Sequence, residues 1–407
     1  MFSHINIKNF RSCYDTDLEL GPSVCALTGR NGTGKSNILK AIEWACSSAT
    51  SSTTVDSSSA GNFGWDQSEV SVTLQIIVEN TKYVYSISVP ERAWIPAQAG
   101  SPVMVGISEV LQVVNEDGSK MDLIIRSGEE IRILGRSEPI RVAASTPAIG
   151  AMLALLPADA EILRHIRPIS DFFGGVRYYS LDDRPNAKVT VTGREYDDWR
   201  LKYQTEGALT HSVALRLIYM WKEDDDLLKE FNSIVGPDGI GLIDRLEIIS
   251  IGRSDLPFGP GDKENSAQTK FYILQFWPSK QMGGAGEPFS FADLSAGTRR
   301  VIRLVTSMLF DKRSLMLLEE PEDSIHTGLL RKLIDIFRAY SDKVQMIFTT
   351  HSLDVLDILR PEEVLMITAP DGRTHARKLT SIEIARAKKF LENDGSLSEF
   401  LEPITEQ

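Results

Sequence analysis

Apolar and polar residues alternate from His4 to Phe10 and again over Asp15–Leu20. A period of two is the mark of half-buried strands, and two such runs in succession predict a hairpin. Val24-Cys-Ala-Leu-Thr28 is a short run of the kind found in a buried strand. From Asn37 to Cys46 the period changes: Ile38, Leu39, Ile42 and Ala45 fall on one face of a helix. Alternation returns at Val70, Val72, Leu74 and Ile76 and continues through Val84–Val89. Leu111–Val114 and Met121–Ile125 flank Asn115-Glu-Asp-Gly-Ser119, a hairpin turn signal, so residues 68–142 read as strand-rich. Helical patterning follows over 147–167 and over 194–235, with a break at Gly207. Strands are predicted at Val176–Ser180 and Phe271–Phe276.

Two segments interrupt this pattern. Residues 47–61 are rich in Ser and Thr and read as a surface loop. Gly283-Gly-Ala-Gly286 leads into a final third with denser patterning: an amphipathic helix carrying Val301, Ile302, Leu304, Val305, Met308 and Leu309, a strand at Leu315–Leu318, a helix at Gly328–Tyr340 and a strand at Met346–Thr350. No heptad pattern persists beyond a few turns, which argues against a long coiled coil, and no internal repeat is visible. The reading divides the chain into an N-terminal lobe with a β-subdomain at 1–180, a mainly helical insertion at 181–286 and a C-terminal lobe at 287–407.

Composition narrows the picture. The 407 residues are 42% hydrophobic and 25% charged, as in ordinary globular chains. No apolar run approaches the ~18–20 residues of a membrane span, and no signal-peptide pattern opens the chain, so a cytoplasmic protein is expected. The three cysteines, Cys13, Cys25 and Cys46, form no C-x-x-C pair, and with the six histidines they make no ligand cluster. A net charge of −12 argues against coating nucleic acid by bulk charge. The densest basic cluster, Arg373, Arg377, Lys378, Arg386, Lys388 and Lys389, reads first as a solvated face.

The strand at Val24–Thr28 and the helix after it bracket Gly29-Arg-Asn-Gly-Thr-Gly34-Lys35-Ser36, a G-x-x-x-x-G-K-S phosphate-binding loop. Glycines let backbone N–H groups turn towards a polyphosphate. Asn31, Gly32, Thr33 and Gly34 supply that cradle, Lys35 a compact positive charge, and Ser36 a hydroxyl for Mg²⁺. The positive end of the helix points at the same anion.

The strand at Leu315–Leu318 delivers Glu319, Glu320 and Glu322 at its C-terminal end, where ligands bind in open α/β sheets. Adjacent strand residues face opposite sides, so Glu319 can serve the Mg²⁺ shell while Glu320 orients or deprotonates an attacking water. The next predicted strand ends in His351, whose imidazole can contact a γ-phosphate. Asp293-Leu294-Ser295-Ala296-Gly297 opens the preceding helix, with Ser295 as a good N-cap.

In this order the four elements resemble those of ABC-type ATPases, in the group that contains SMC, RecF and OLD-type proteins. The stretch from Ile5 to Arg11 resembles their opening strand, and Glu319-Glu320-Pro-Glu322 with Ile325-His326 their acidic motif and the turn after it. The resemblance covers roughly residues 1–46 and 287–400 and implies an α/β P-loop NTPase with ABC-ATPase head architecture, an antiparallel β-subdomain and a helical subdomain. It implies ATP and Mg²⁺ as cofactors, Lys35 and Ser36 on the phosphates and metal, and Glu320 as the hydrolytic carboxylate. Ser295 and Gly297 would touch the γ-phosphate of a nucleotide held by a second copy. The chain departs from the pattern in three places: Glu319 stands where Asp is usual, the signature is LSAG rather than LSGG, and Leu181-Asp-Asp-Arg184 lacks the expected glutamine.

The resemblance further implies a head-to-tail homodimer whose assembly depends on ATP. The wide separation of Lys35 and Ser295 argues against a transporter subunit, and too few residues follow His351 for a nuclease domain. The expected role is a switch or scaffold for a separately encoded nuclease or toxin, as in the anti-phage systems Septu and PARIS. A DNA-repair ATPase that clamps DNA is the alternative.

Overall fold

The structure, a computed structural model, describes residues 1–21, 23–51, 69–89, 106–179, 190–206, 212–252, 270–279, 286–311, 314–323, 325–393 and 395–405. They fall into two compact units. The first comprises Met1–Ser180, Arg313–Pro321 and Phe337–Gln407, the second Leu181–Lys312 and Glu322–Ile336.

Two sheets build the first unit. One is antiparallel, with strand order β2-β1-β4-β5-β6-β7-β8-β9. Its members are β1 (Phe2–Phe10), β2 (Cys13–Glu19), β4 (Val70–Val78), β5 (Thr81–Val89), β6 (Ser108–Val114), β7 (Lys120–Ser127), β8 (Glu130–Ile133) and β9 (Ile140–Arg141). The predicted hairpin forms, with His4 opposite Glu19 and Lys8 opposite Asp15. Along β4 burial alternates strictly, as its period-two pattern requires. The turn between β6 and β7 closes with Asn115 N–H donating to Ser119 O at 2.8 Å, and Gly118 supplies its positive φ of 82°.

The other sheet has the order β10-β14-β15-β3-β16-β17. It contains β3 (Val24–Thr28), β10 (Val176–Tyr179), β14 (Leu315–Glu319), β15 (Gln345–Thr350), β16 (Val364–Thr368) and β17 (His375–Lys378). All neighbours run parallel except β16 and β17. Helices α1 (Lys35–Thr50), α2 (Ala148–Leu155) and α3 (Leu163–Gly174) complete the core. Ile38, Leu39, Ile42 and Ala45 of α1 pack with Ile5 and Ile7 of β1, Val72 and Leu74 of β4, and Leu315, Leu317 and Ile347 of the parallel sheet. Gln345 joins the two sheets: its side-chain amide accepts from Phe2 N at 2.8 Å and donates to Phe2 O at 2.9 Å and Gly21 O at 2.7 Å.

The second unit holds a three-stranded antiparallel sheet, β11 (Thr190–Thr192), β13 (Phe271–Trp277) and β12 (Arg245–Ile251), in that order. Its helices are α4 (Gly193–Glu206), α5 (Val213–Glu223), α6 (Asp225–Val235) and α7 (Ala296–Phe310). Helix α8 (Thr327–Ala339) follows β14, and the short α9 (Leu353–Leu356), α10 (Ser381–Leu391) and α11 (Leu397–Thr405) end the chain's described part.

Several expectations need correction. Helix α1 continues through Ser47–Thr50, because Cys46 and Ala49 are buried in the core; residues 52–61 lie outside the described residues. The helical pattern over 147–167 is two helices, α2 ending just before Pro157, which disfavours a helical residue ahead of it. The 194–235 pattern is three helices. Gly207 falls outside the described residues, and a second break comes at Asp224, whose carboxylate caps α6 by accepting from Leu227 N at 3.1 Å. The sequence division groups 287–407 as one lobe, whereas residues up to Lys312 and those of 322–336 lie in the second unit. Phe289 bridges to Phe276 there, and α7 packs on α5 and α6. Arg216 of α5 ties that packing down through Asp311 at 3.0 Å and Ser307 at 2.8 Å.

Candidate functional site: a phosphate loop with a carboxylate–imidazole pair

Strand β3 ends at Thr28 and α1 begins at Lys35, so residues 29–34 form the loop between them. Gly34 stands at the helix N-cap in the left-handed region, φ 96°, and no side chain caps the helix. A Cβ at Gly34 would collide with the hydroxyls of Thr374 and Ser12, and one at Gly29 with the carbonyl of Ile367. Close approach of side-chain hydroxyls at Gly34 and of backbone at Gly29 is therefore what requires these glycines. The first intrahelical bond is Ile38 N to Gly34 O, 3.1 Å, which leaves the N–H groups of Lys35, Ser36 and Asn37 at the helix mouth. Lys35, 6% exposed, donates from Nζ to Gly29 O at 2.7 Å and Arg30 O at 3.0 Å.

The loop is braced by residues distant in sequence. Thr374, fully buried, donates to Thr33 O at 2.8 Å, shares a hydrogen bond with Ser12 Oγ at 2.7 Å, and donates its N–H to Ser12 O at 2.8 Å. Asn37 donates to Ser12 Oγ at 2.8 Å. A cavity of about 620 Å³ opens beside them, lined by Asn31, Gly32, Gly34, Lys35, Ser36 and Glu320 and also by Ser12, Asn37 and Gly372. Sequence reading missed Ser12, Asn37, Gly372 and Thr374; no local pattern marks them.

Glu319 is the last residue of β14, and Glu320 follows it with φ 40°. A left-handed non-glycine residue is uncommon and strained. The two carboxylates are thus parted by a backbone turn rather than by strand alternation. Glu320 N donates to Thr349 Oγ1 of β15 at 3.2 Å. Its Oε1 lies 3.2 Å from Nδ1 of His351, the residue after β15. Both side chains are partly exposed, Glu320 at 27% and His351 at 49%.

Glu319 has Tyr178 of β10 beside it. Burial first, and then the Glu319 carboxylate, push the Tyr178 phenol well above its ordinary pKa, so it stays protonated. Glu43 of α1 is also raised by burial, opposed by Arg177 and Lys40. Among the described residues no three His, Cys, Asp or Glu side chains gather into a metal cage. Mg²⁺ needs no such cage, since it keeps water ligands and takes others from substrate phosphates.

Ser295 and Gly297 lie in the second unit. Ser295 caps α7, accepting from Thr298 N at 3.1 Å, and Gly297 is buried in the first turn. Leu181–Arg184 lie outside the described residues. Members of the C-terminal basic cluster are held by acids: Arg377 by Glu383 at 3.0 Å, Lys378 by Glu19 at 3.5 Å and Lys388 by Glu362. Arg373 stacks over Tyr14 at 4.3 Å. This is a solvated face. None of the described helices is long and apolar enough to cross a membrane.

Residues 4–136 match a family described as an AAA domain, and residues 261–357 one described as "AAA domain, putative AbiEii toxin, Type IV TA system". Two curated relatives are each described as DNA replication and repair protein RecF. That of Frankia alni is 41% identical over 54 residues, 13% of this chain and 14% of the relative. That of Paenarthrobacter aurescens is 49% identical over 39 residues, 10% of each. The match therefore spans a small part of either relative's length. Among solved structures, an SMC head bound to the C-winged helix domain of ScpA aligns over 95% of this chain and 99% of its own, at 14% identity and TM-score 0.49. The Smc head domain with an extended coiled coil from Pyrococcus furiosus aligns over 96% and 98%, at 12% identity and TM-score 0.49.

A parallel sheet with a phosphate loop at the C-terminal end of its β3 strand, facing an acid from β14, defines a P-loop nucleotide-binding protein. The two AAA matches and the short RecF similarity agree with that class, each as a likeness of one part of the chain.

Proposed function

We propose that this protein binds and hydrolyses ATP, and that ATP holds two copies head to tail until turnover releases them. The observation that carries the reading is the single cavity lined by Lys35, Ser36 and the uncapped start of α1 on one side and by Glu320 on the other. Phosphates seated on the helix mouth meet N–H groups and the helix dipole. Lys35 exchanges its two carbonyl partners for phosphate oxygens. The Ser36 hydroxyl and Glu319 would hold Mg²⁺, which would neutralise charge on those oxygens. Glu320 accepts the proton of the attacking water, with His351 fixing its carboxylate and reaching the γ-phosphate. Ser295 and Gly297 of a second copy complete the site at the positive end of α7. Loss of the γ-phosphate removes that contact, so turnover opens the pair.

The role we assign to this switch is to hold or release a separately encoded effector, a nuclease or toxin, in anti-phage defence. The match of residues 261–357 to a family described with a toxin system supports it. The second reading, an ATPase that clamps DNA in repair, is favoured by the RecF similarity. The net charge of −12 favours the first.

The test compares wild-type protein and Lys35→Ala by fluorescent-ATP binding and light-scattering mass. Wild type should bind ATP and double its mass; Lys35→Ala should do neither. A wild-type mass indifferent to ATP would overturn the dimer switch. Salt-dependent DNA binding by the ATP-bound protein would favour the clamp, and co-purification with a neighbour-encoded nuclease or toxin the defence role.

A further inference from the structure

Glu319 is one methylene longer than the aspartate usual at its position, and a longer carboxylate has more rotamers to lose before it can serve a metal. Something must hold it. In the β10–β14 pairing Tyr178 is opposite Leu317. Alternate residues of a strand share a face, so Tyr178 and Glu319 project to the same side of the sheet. That side is covered by α1, which packs on both strands and begins with Lys35 and Ser36. The Lys40 ammonium of α1 sits 5.9 Å from the Tyr178 ring centroid, within cation–π reach. The Tyr178 hydroxyl is buried and completes no hydrogen bond to the described residues. A buried phenol O–H without an acceptor is costly, and the acceptor beside it is the Glu319 carboxylate.

We propose that Tyr178 is a positioning residue for the metal-facing acid: its O–H donates to one Glu319 oxygen and leaves the other for the Mg²⁺ that arrives with ATP. The proposal rests on the ATPase reading above. It differs from a packing role, because packing needs only the ring. A carboxylate oriented by such a donor meets the ion in a preset rotamer, and loss of partners of this kind typically weakens metal binding by about 10–100-fold.

The experiment is a fluorescent-ATP titration of the full chain at increasing Mg²⁺ and, in parallel, in EDTA. Tyr178→Phe keeps the ring and removes the donor. It should need roughly tenfold more Mg²⁺ for half-maximal tightening of ATP, with affinity in EDTA and melting temperature as in wild type. In a Glu319→Gln background the same substitution should leave the Mg²⁺ dependence unchanged. A wild-type Mg²⁺ dependence in Tyr178→Phe overturns the proposal, as does an equal loss of affinity in EDTA, which marks a packing role. Wild-type binding of ATP indifferent to Mg²⁺ overturns the metal role of Glu319 and with it the function proposed above.

Discussion

Oε1 of Glu320 stands 3.2 Å from Nδ1 of His351, although β14 and β15 deliver them from separate places in the chain. The two strands are parallel neighbours in register, Leu318 beside Phe348 and Glu319 beside Thr349. Each functional residue sits just past its strand, and the left-handed turn at Glu320 swings its carboxylate to the imidazole. In the proposed reading, a carboxylate so held would accept a proton from a fixed direction.

Glu320→Gln keeps the size and removes the basicity. ATP turnover should fall by about 10²–10⁴-fold while ATP binding is retained, and the nucleotide-bound assembly should accumulate. His351→Ala should lower turnover less, because it removes the orienting partner and leaves the acid. Steady-state phosphate release and size-exclusion mass read both effects, and unchanged turnover in Glu320→Gln would sink the assignment.

Gly34→Ala places a methyl group against Thr374 and Ser12 in a backbone region unfavourable to alanine. Strain of ~1–3 kcal/mol should weaken ATP by on the order of 10–100-fold. Gly21→Ala, with open space around its Cβ and no positive φ, is the matched control and should bind normally. Equal affinities for the two variants in a binding titration would contradict the close approach of the 374 segment.

The antiparallel sheet carries a buried ion pair. Arg126 and Glu109 are each 1% exposed and meet at 3.1 Å. Glu109 also accepts from the Tyr85 hydroxyl at 2.8 Å and from Ala148 N–H at 2.7 Å, which anchors the start of α2. Arg126 also donates to the carbonyls of Ala143, Ala144 and Thr146. Arg126→Met strands the acid and the carbonyls that the guanidinium serves and should cost ~3–5 kcal/mol in denaturant unfolding. Tyr85→Phe should cost only ~1 kcal/mol. A cost below ~1 kcal/mol for Arg126→Met would mean that water replaces the guanidinium.

Burial pushes the Cys13 thiol up to about 11 and Cys25 to about 12, and raises Cys46 as well. All three are buried. Near neutral pH each is a protonated, inaccessible thiol, so labelling should follow opening of the first unit rather than ionisation. Thiol reagents should react slowly with native protein and fully in denaturant. ATP with Mg²⁺, if bound only by the folded form, should slow labelling further. Reaction of any of the three at the rate of a free cysteine in the native protein would refute this.

The loop after β3, the acid-bearing strand and the histidine strand were legible as elements in the sequence because each is a contiguous segment. Glycine spacing, apolar runs and the change of period from two to 3.6 are local properties, and local backbone sterics and burial on one face translate them directly into elements. The alternation along β4 and the helical face of α1 were readable for the same reason. What the tertiary structure alone decided is nonlocal. Strand order brings Glu320 to His351, the β16–β17 turn brings Thr374 to Thr33 across 341 positions, and the β10–β14 register sets Tyr178 beside Glu319. The extension of α1 to Thr50 and the placement of α7 in the second unit were also settled by what packs against them. Pairing register and packing depend on the whole chain, since a strand's partner is chosen by every other buried face competing for it, and no window of sequence contains that competition.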